Sequence, residues 1–281
     1  MTIGIVGLGL IGGSLAKAYK FNTDYKVLGA DTDEVTFKRA VLVNALDGRL
    51  TAENLGECDF LFLSMYPSAT LSYMEENAKF INPDCCVIDC CGVKESVCPR
   101  LFELSEKYGF SYIGGHPMAG RQFSGFRYAT EDLFRGACMI LVPKAGEEIA
   151  FLEKIKNVLK GAGFTSVSIT TAERHDEIIA YTSQLAHVVS NAFVKSPRAE
   201  GHKGFSAGSY RDLTRVAKLS ETMWTELFLD NRGNLISEID FLIDSLTEYR
   251  DALARNDRDG LMSLLREGRE RKERIDEEWR E

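Results

Sequence analysis

The fold class predicted by this sequence is a parallel α/β sheet covered on both faces, followed by an all-helical region. Two patterns predict it. Up to about residue 168, short apolar runs alternate with segments of helical periodicity; beyond that point only helical patterns remain. A chain of 281 residues also suits about two domains of roughly 150 residues each, and the boundaries read as 1–168 and 169–281.

Taken in order, strands are predicted over 2–6, 26–30, 60–64, 86–89, 111–113 and 138–142. Helical patterns fill 13–21, 34–41, 94–108 and 148–159. Past Ser168, Thr170 and Glu173 fit a capping box that opens a long helix over 172–195. Ile178, Ile179, Thr182, Leu185, Ala186, Val189 and Phe193 form its expected core stripe. The Gly-, Ser- and Lys-rich segment 196–209 reads as an irregular loop. One helix follows Arg211, another spans 234–254 and a charged one begins at Arg258. The mixed-sign run 266–280 reads as a solvated helix face.

Composition narrows the function classes. With 44% hydrophobic, 27% charged and 10% aromatic residues, the chain is neither collagenous, coiled-coil-only nor disordered. The formal net charge is -8 and the pI near 5.3, so no basic footprint for nucleic acid and no polybasic membrane anchor is present. No apolar run approaches the ~18 residues of a membrane helix, and the N-terminus carries no basic region of a signal peptide. Seven cysteines occur, with Cys85, Cys86, Cys90, Cys91 and Cys98 close together. On a strand, Cys86 and Cys90 share a face but lie ~13 Å apart, too far to share one zinc at ~2.3 Å. They read as small buried hydrophobes in a reducing cytoplasm, and no metal is expected.

Chemistry enters at Gly7-Leu8-Gly9-Leu10-Ile11-Gly12, which follows the first strand and opens a helix. The first glycine permits the tight turn, the second lets backbone approach a pyrophosphate, and the third lets helix pack on strand. The free N–H groups and positive dipole end of the helix then face the phosphates. Asp31, 19 residues after Gly12, can accept from the adenosine ribose hydroxyls and repel a 2′-phosphate. No arginine adjoins it, so NAD is favoured over NADP, and with it hydride transfer.

Of four histidines, His116 stands out. It lies in Gly114-Gly115-His116-Pro117-Met118-Ala119-Gly120, expected just past a strand end where loops line the ligand crevice. Ser183, His187, Ser190 and Asn191 form a polar stripe on the long helix, which points to a wet cleft. His175 falls in that helix's first turn and receives no role; His202 falls in the loop. Arg211-Asp212-Leu213-Thr214-Arg215 is expected to begin the next helix, with its arginines one turn apart. They suit a carboxylate substrate, and equally a surface ion pair with Asp212 or Glu226.

These motifs together resemble the prephenate/arogenate dehydrogenases of tyrosine biosynthesis. The resemblance rests on 7–14, 114–120, Ser183-Gln184-Leu185-Ala186-His187-Val188-Val189, and 211–215 with Met223-Trp224 downstream. It implies a Rossmann domain followed by a helical dimerisation domain, hence a cytoplasmic homodimer, with the active site between the two parts. It also implies NAD-dependent oxidative decarboxylation of prephenate to 4-hydroxyphenylpyruvate, or of arogenate, its amino analogue, to tyrosine. By the match His116 is the base at the ring hydroxyl, and activity is expected to fall as it protonates near pH ~6.5. Arg215 is the carboxylate clamp with Arg211 beside it, His187 a pocket residue and Trp224 a wall. Gly7, Gly9, Leu10, Ile11, Gly12, Asp31 and Ser64 are the expected cofactor contacts.

Two positions depart from the pattern. Many relatives carry Ser in an Asp-x-x-Ser-Val-Lys stretch, where this chain has Asp89-Cys90-Cys91-Gly92-Val93-Lys94. Water, a backbone N–H or Cys91 is then left to replace that hydroxyl. Some relatives carry Glu six residues after the base, where this chain has Gln122, a position that bears on the choice between prephenate and arogenate. No regulatory or chorismate-mutase segment is seen, so a monofunctional enzyme is expected. A 3-hydroxyacid dehydrogenase is disfavoured because no lysine occupies the stripe around His187. A non-catalytic NAD-binding protein is the remaining rival.

Overall fold

The computed structural model describes residues 1–121 and 123–278, without the side chain of Glu278. Eight strands form one sheet: β1 (Thr2–Val6), β2 (Lys26–Ala30), β3 (Gly48–Arg49), β4 (Phe60–Leu63), β5 (Cys86–Asp89), β6 (Ser111–Pro117), β7 (Cys138–Val142) and β8 (Ser166–Ile169), in the order β3-β2-β1-β4-β5-β6-β7-β8. All pairs from β3 to β6 are parallel; β7 runs antiparallel to β6, and β8 parallel to β7. The sheet is therefore parallel-dominated, with one reversed strand that apolar runs alone cannot reveal.

Side-chain alternation explains why the parallel strands are apolar throughout. Ile3, Ile5, Phe60, Phe62, Cys86 and Ile88 point into one core, while Val6, Leu61, Leu63, Cys85 and Val87 point into the other. Helices α1 (Leu10–Asn22), α2 (Glu34–Leu42) and α5 (Ile149–Gly161) close the first core, through Leu15, Tyr19, Phe37, Ile155 and Leu159 among others. Helices α3 (Pro67–Asn77) and α4 (Cys98–Tyr108) close the second through Met74, Leu101 and Leu104. β1 has β2 on one side and β4 on the other. The chain order reverses there, which opens a crevice at the C-terminal strand ends.

Several boundaries move from their expected places. β3, β8 and α3 carry no pattern that the sequence reading detects. α4 starts at Cys98 instead of Lys94, with Pro99 in its first turn, where a missing N–H costs nothing. Strand β6 extends to Pro117, so His116 lies within a strand and not past its end. The cysteine alternation holds: Cys86 and Cys90 sit with one core, Cys85 and Cys91 with the other. All seven thiols are free, and burial pushes those of Cys86, Cys90 and Cys98 up to about 12.

The long helix is α6 (Ala172–Ile179), a π-helical turn over Ala180–Leu185, and α7 (Ala186–Phe193). Its cap is Thr171, whose hydroxyl accepts from Arg174 N at 3.2 Å, not Thr170 as expected. The buried face also differs from the predicted stripe. His175, Asp176, Ile179, Ala180, Gln184, Leu185 and Ser190 are buried, whereas Ile178 and Phe193 are exposed. The wide turn shifts the helical phase midway, as π-turns do, often beside functional sites. Then come α8 (Gly208–Thr214), α9 (Glu221–Asp230), α10 (Arg232–Ala254) and α11 (Arg258–Glu278). Arg211 and Arg215 thus close the short α8 instead of opening a helix.

The chain forms two compact units, Met1–Arg232 and Gly233–Glu281. In the first, α6 to α9 join the sheet, because Asp176 accepts from the backbone of Lys94 and Glu95 while Glu226 accepts from Ser68 N. In the second, α11 is laced by the i,i+4 pairs Arg269–Glu273, Arg271–Glu267 and Lys272–Asp276, a solvated face as expected. Phe241, Ile243, Leu246 and Leu253 of α10 are exposed in the single chain. Among the described residues no helix is long and apolar enough to cross a membrane.

Candidate functional site

The turn after β1 is shaped by glycine. Gly7 has φ +85°, and a Cβ there would fall 2.5 Å from the Ser64 carbonyl oxygen; a Cβ on Gly12 would fall 1.8 Å from that of Gly7. Any side chain at either position collapses the turn. Gly9, by contrast, faces open space, with nothing within 4 Å of its Cβ position. Gly9 is also the N-cap of α1, with no side-chain cap and no acid in the first turn. The first N–H groups of the helix, including those of Leu10, Ile11 and Gly12, therefore face an uncapped cradle that suits an anion. Ser64, just past β4, has a buried hydroxyl beside the Cys90 thiol. These residues fit the pyrophosphate of a dinucleotide.

Asp31 ties the cradle together. Its Oδ2 accepts from Leu8 N at 2.7 Å and its Oδ1 from Asp33 N at 2.8 Å, and each oxygen keeps capacity for a second donor. The sequence shows no arginine beside Asp31, but β3 brings one close. Arg49 pairs through its backbone with Gly29 of β2, and its Nη2 lies 2.7 Å from Glu34 Oε2 at the start of α2. A two-residue strand is too short to show in a hydrophobic pattern, which is why sequence reading misses this neighbour.

His116 sits on β6 opposite Ile140 of β7. Its Nδ1 lies 2.8 Å from His175 Nε2, and His175 Nδ1 lies 2.6 Å from Asp176 Oδ1. Asp176 is fully buried and also accepts from Lys94 N at 2.8 Å and Glu95 N at 2.9 Å. An ionised carboxylate only accepts, so His175 donates to it through Nδ1–H and presents Nε2 as an acceptor. His116 then donates through Nδ1–H, which leaves the lone pair of its own Nε2 free. Burial, followed by the proximity of His175 and Lys94, holds His116 well below the ordinary 6.5. The expectation of titration near pH 6.5 is corrected accordingly: His116 is held neutral to well below that value. His175 and Asp176 are the residues sequence reasoning missed. Their only signal is a His-Asp pair on an amphipathic first turn, and the partner lies 59 positions away.

The neighbouring segment is pinned by a buried ion pair. Asp89 and Lys94 are both inaccessible to solvent and bond directly. Lys94 Nζ also donates to the Gly115 carbonyl at 2.7 Å. Asp89 accepts from Tyr112 OH at 2.8 Å, Gly115 N at 3.1 Å and Cys91 N at 2.9 Å. Gly92 lies inside this segment, and a Cβ there would stand 3.9 Å from His116 Nε2 and 3.4 Å from Leu227 Cδ2. A side chain at position 92 would thus face the free nitrogen of His116. Cys91 does not take its place, since its thiol turns to the Met65 carbonyl at 3.7 Å and Thr70 Oγ1 at 3.5 Å.

Helix α9 connects the base to the other predicted residues. Leu227 adjoins Gly92, and one turn earlier Trp224 lies against His187, with ring centroids 3.9 Å apart. The carbonyl of Leu227 accepts from Gln184 Nε2 at 3.2 Å, and Asn231 Nδ2 donates to the Asp176 carbonyl at 2.8 Å and Gln184 Oε1 at 2.9 Å. His187 donates from Nδ1 to the Ser183 carbonyl at 2.8 Å, leaving Nε2 as its acceptor. Its pKa is lowered by burial and by the nearby Arg215, against the opposing effect of that hydrogen bond. Trp224 also lines a cleft of about 290 Å³ with Asn191, Lys218 and Phe228. Among the described residues neither Arg211 nor Arg215 forms an ion pair. Glu226, one offered partner, is engaged by Ser68 N at 2.7 Å. The structure stacks His187 on Trp224 and sets Arg215 near enough to His187 to lower its pKa, and both Arg211 and Arg215 are exposed. Gln122 lies outside the described residues.

Comparison with known proteins agrees with this arrangement. Residues 15–168 match the prephenate dehydrogenase nucleotide-binding domain, and residues 171–267 the prephenate dehydrogenase dimerization domain. Prephenate dehydrogenase of Bacillus subtilis is 30% identical over 275 residues, which cover 94% of this chain and 73% of that protein. The structure of prephenate dehydrogenase from Aquifex aeolicus, in complex with hydroxyphenyl propionate and NAD+, superposes with a TM-score of 0.85 at 27% identity, covering 98% of each chain. Synechocystis arogenate dehydrogenase superposes with a TM-score of 0.81 at 25% identity, covering 98% of this chain and 100% of that one. The glycine cradle and the histidine site thus lie in an oxidoreductase that belongs to the prephenate dehydrogenase family.

Proposed function

We propose that this chain catalyses the NAD-dependent oxidative decarboxylation of prephenate to 4-hydroxyphenylpyruvate. The observation that carries the reading is the Asp176–His175–His116 relay, which leaves a neutral Nε2 acceptor on a sheet whose first turn cradles a dinucleotide. NAD, held by Gly7, Gly9, Leu10, Ile11, Gly12, Asp31 and Ser64, would supply the hydride acceptor. His116 Nε2 takes the proton of the ring hydroxyl as carbon dioxide leaves and the ring becomes aromatic. His175, held in turn by the Asp176 carboxylate, fixes the tautomer and orientation of that imidazole. Arg215, with no ion pair among the described residues and near His187, clamps a substrate carboxylate through its planar fork. The half-buried His187 and Trp224 form the wall along the ring, and Arg211 completes the substrate side. The proposed division of labour is nucleotide binding in 1–168 and substrate binding and dimerisation in 169–281.

Arogenate is the second reading, favoured by the likeness to the Synechocystis enzyme. NADH formation with each substrate at equal concentration separates them: prephenate is expected to react faster, and arogenate ahead by about tenfold overturns the choice. A homodimer through the helical part is proposed with it, and sedimentation of the full chain as a monomer would contradict that part.

A further inference from the structure

The adenosine end of the dinucleotide site holds a guanidinium that NAD does not need. Arg49 ends β3, with its backbone beside Gly29, two residues before Asp31. Its Nη2 meets Glu34 Oε2 at 2.7 Å, and its Cζ lies 3.7 Å from the centroid of the Phe37 ring. Glu34 is the first residue of α2, three positions after Asp31, and its other oxygen is approached by Lys38 Nζ at 3.8 Å. Asp33 between them caps α2, accepting from Val35 N and Thr36 N. Three carboxylates and one stacked, planar cation are thereby gathered where β2 meets α2.

Resting on the reading of this site as a dinucleotide cradle, we propose that Glu34 is a specificity residue that keeps Arg49 from serving as a ligand for a ribose 2′-phosphate. Asp31 accepts from ribose hydroxyls and repels a phosphate. Glu34 takes one donor of the guanidinium, Nη2, and offsets its charge. A phosphomonoester needs the fork, one arm of which Glu34 now holds, while stacking on Phe37 already fixes the plane of that fork. The Arg49–Glu34 pair is exposed on both sides, at 41% and 54%, so solvent screens it and a phosphate can compete once the carboxylates are neutralised. NAD preference thus has two layers: a carboxylate on the sugar and a carboxylate on the arginine.

Fluorescence titration of the full chain with NADH and NADPH tests this by binding alone. The wild type is expected to bind NADH much more tightly than NADPH. Asp31→Ser with Glu34→Gln is expected to bind NADPH about tenfold or more tighter than the wild type does, and adding Arg49→Gln to remove that gain. A double variant with no gain for NADPH, or a triple variant that keeps the gain, overturns the proposal while leaving the cradle intact. A wild type that binds neither dinucleotide overturns the cradle reading itself, and this inference with it. Should the combined variants melt early, Glu34→Gln alone carries the test. It is expected to narrow the NADH-to-NADPH affinity ratio by about threefold, and an unchanged ratio overturns the proposal.

Discussion

At the scale of the residue, the chemistry depends on which nitrogen holds a proton. Asp176 fixes the direction of both imidazole hydrogen bonds, because its carboxylate can only accept and is already committed to two backbone N–H groups. Two consequences follow for pH. The His116 pKa is lower in the fold than in the unfolded chain. Its burial therefore contributes stability above pH ~6.5 that is lost as pH falls toward the folded value. For the same reason kcat/KM should stay level from pH 8 to below 6.5, with its acid limb displaced downward. His175→Asn should lower the rate roughly ten- to a hundredfold, as losing an orienting partner does. It should also move the acid limb back toward ~6.5, because His175 is one of the groups holding His116 down. A pH profile of the two proteins reads this, and a slower variant with an unmoved limb would reduce His175 to a packing residue. Sequence reading found His116 from its glycine-flanked motif, yet gave His175 no role, because the bond that defines it joins a strand to a helix far along the chain. Arg49 escaped because the two-residue β3 that carries it leaves no hydrophobic pattern.

At the scale of the element, what was legible in the sequence was periodicity, and what was not was pairing. β1, β2, β5 and β7 stand where their apolar runs end. β3 is two residues long and β8 is largely exposed, so neither shows a buried-strand pattern. The long helix was found, but its π-helical turn exchanged the expected apolar stripe for a face bearing His175, Asp176, Gln184 and Ser190. The Asp89–Lys94 pair joins the end of β5 to β6 beside His116, and neither partner reaches solvent. Lys94→Met should therefore cost about 3–5 kcal/mol in denaturant unfolding, since it strands Asp89 as an unpaired buried charge. A loss below about 1 kcal/mol, the scale of a surface pair, would contradict the role given to this pair.

At the scale of the whole molecule, an acidic chain of net charge -8 must concentrate positive charge where a doubly carboxylated substrate binds. Arg215, with no ion pair among the described residues and its effect felt at His187, is the residue proposed to meet that need. Gly92 leaves the free nitrogen of His116 facing space that a side chain could enter, and the proposed base is oriented from behind by His175. The measurement closest to the central claim is the rate of NADH formation from prephenate by His116→Asn, beside its affinity for NAD. NAD affinity should match the wild type, while the rate falls by about 10²–10⁴. A variant that turns prephenate over at the wild-type rate would contradict the account, because the proton of the ring hydroxyl would then leave by another route.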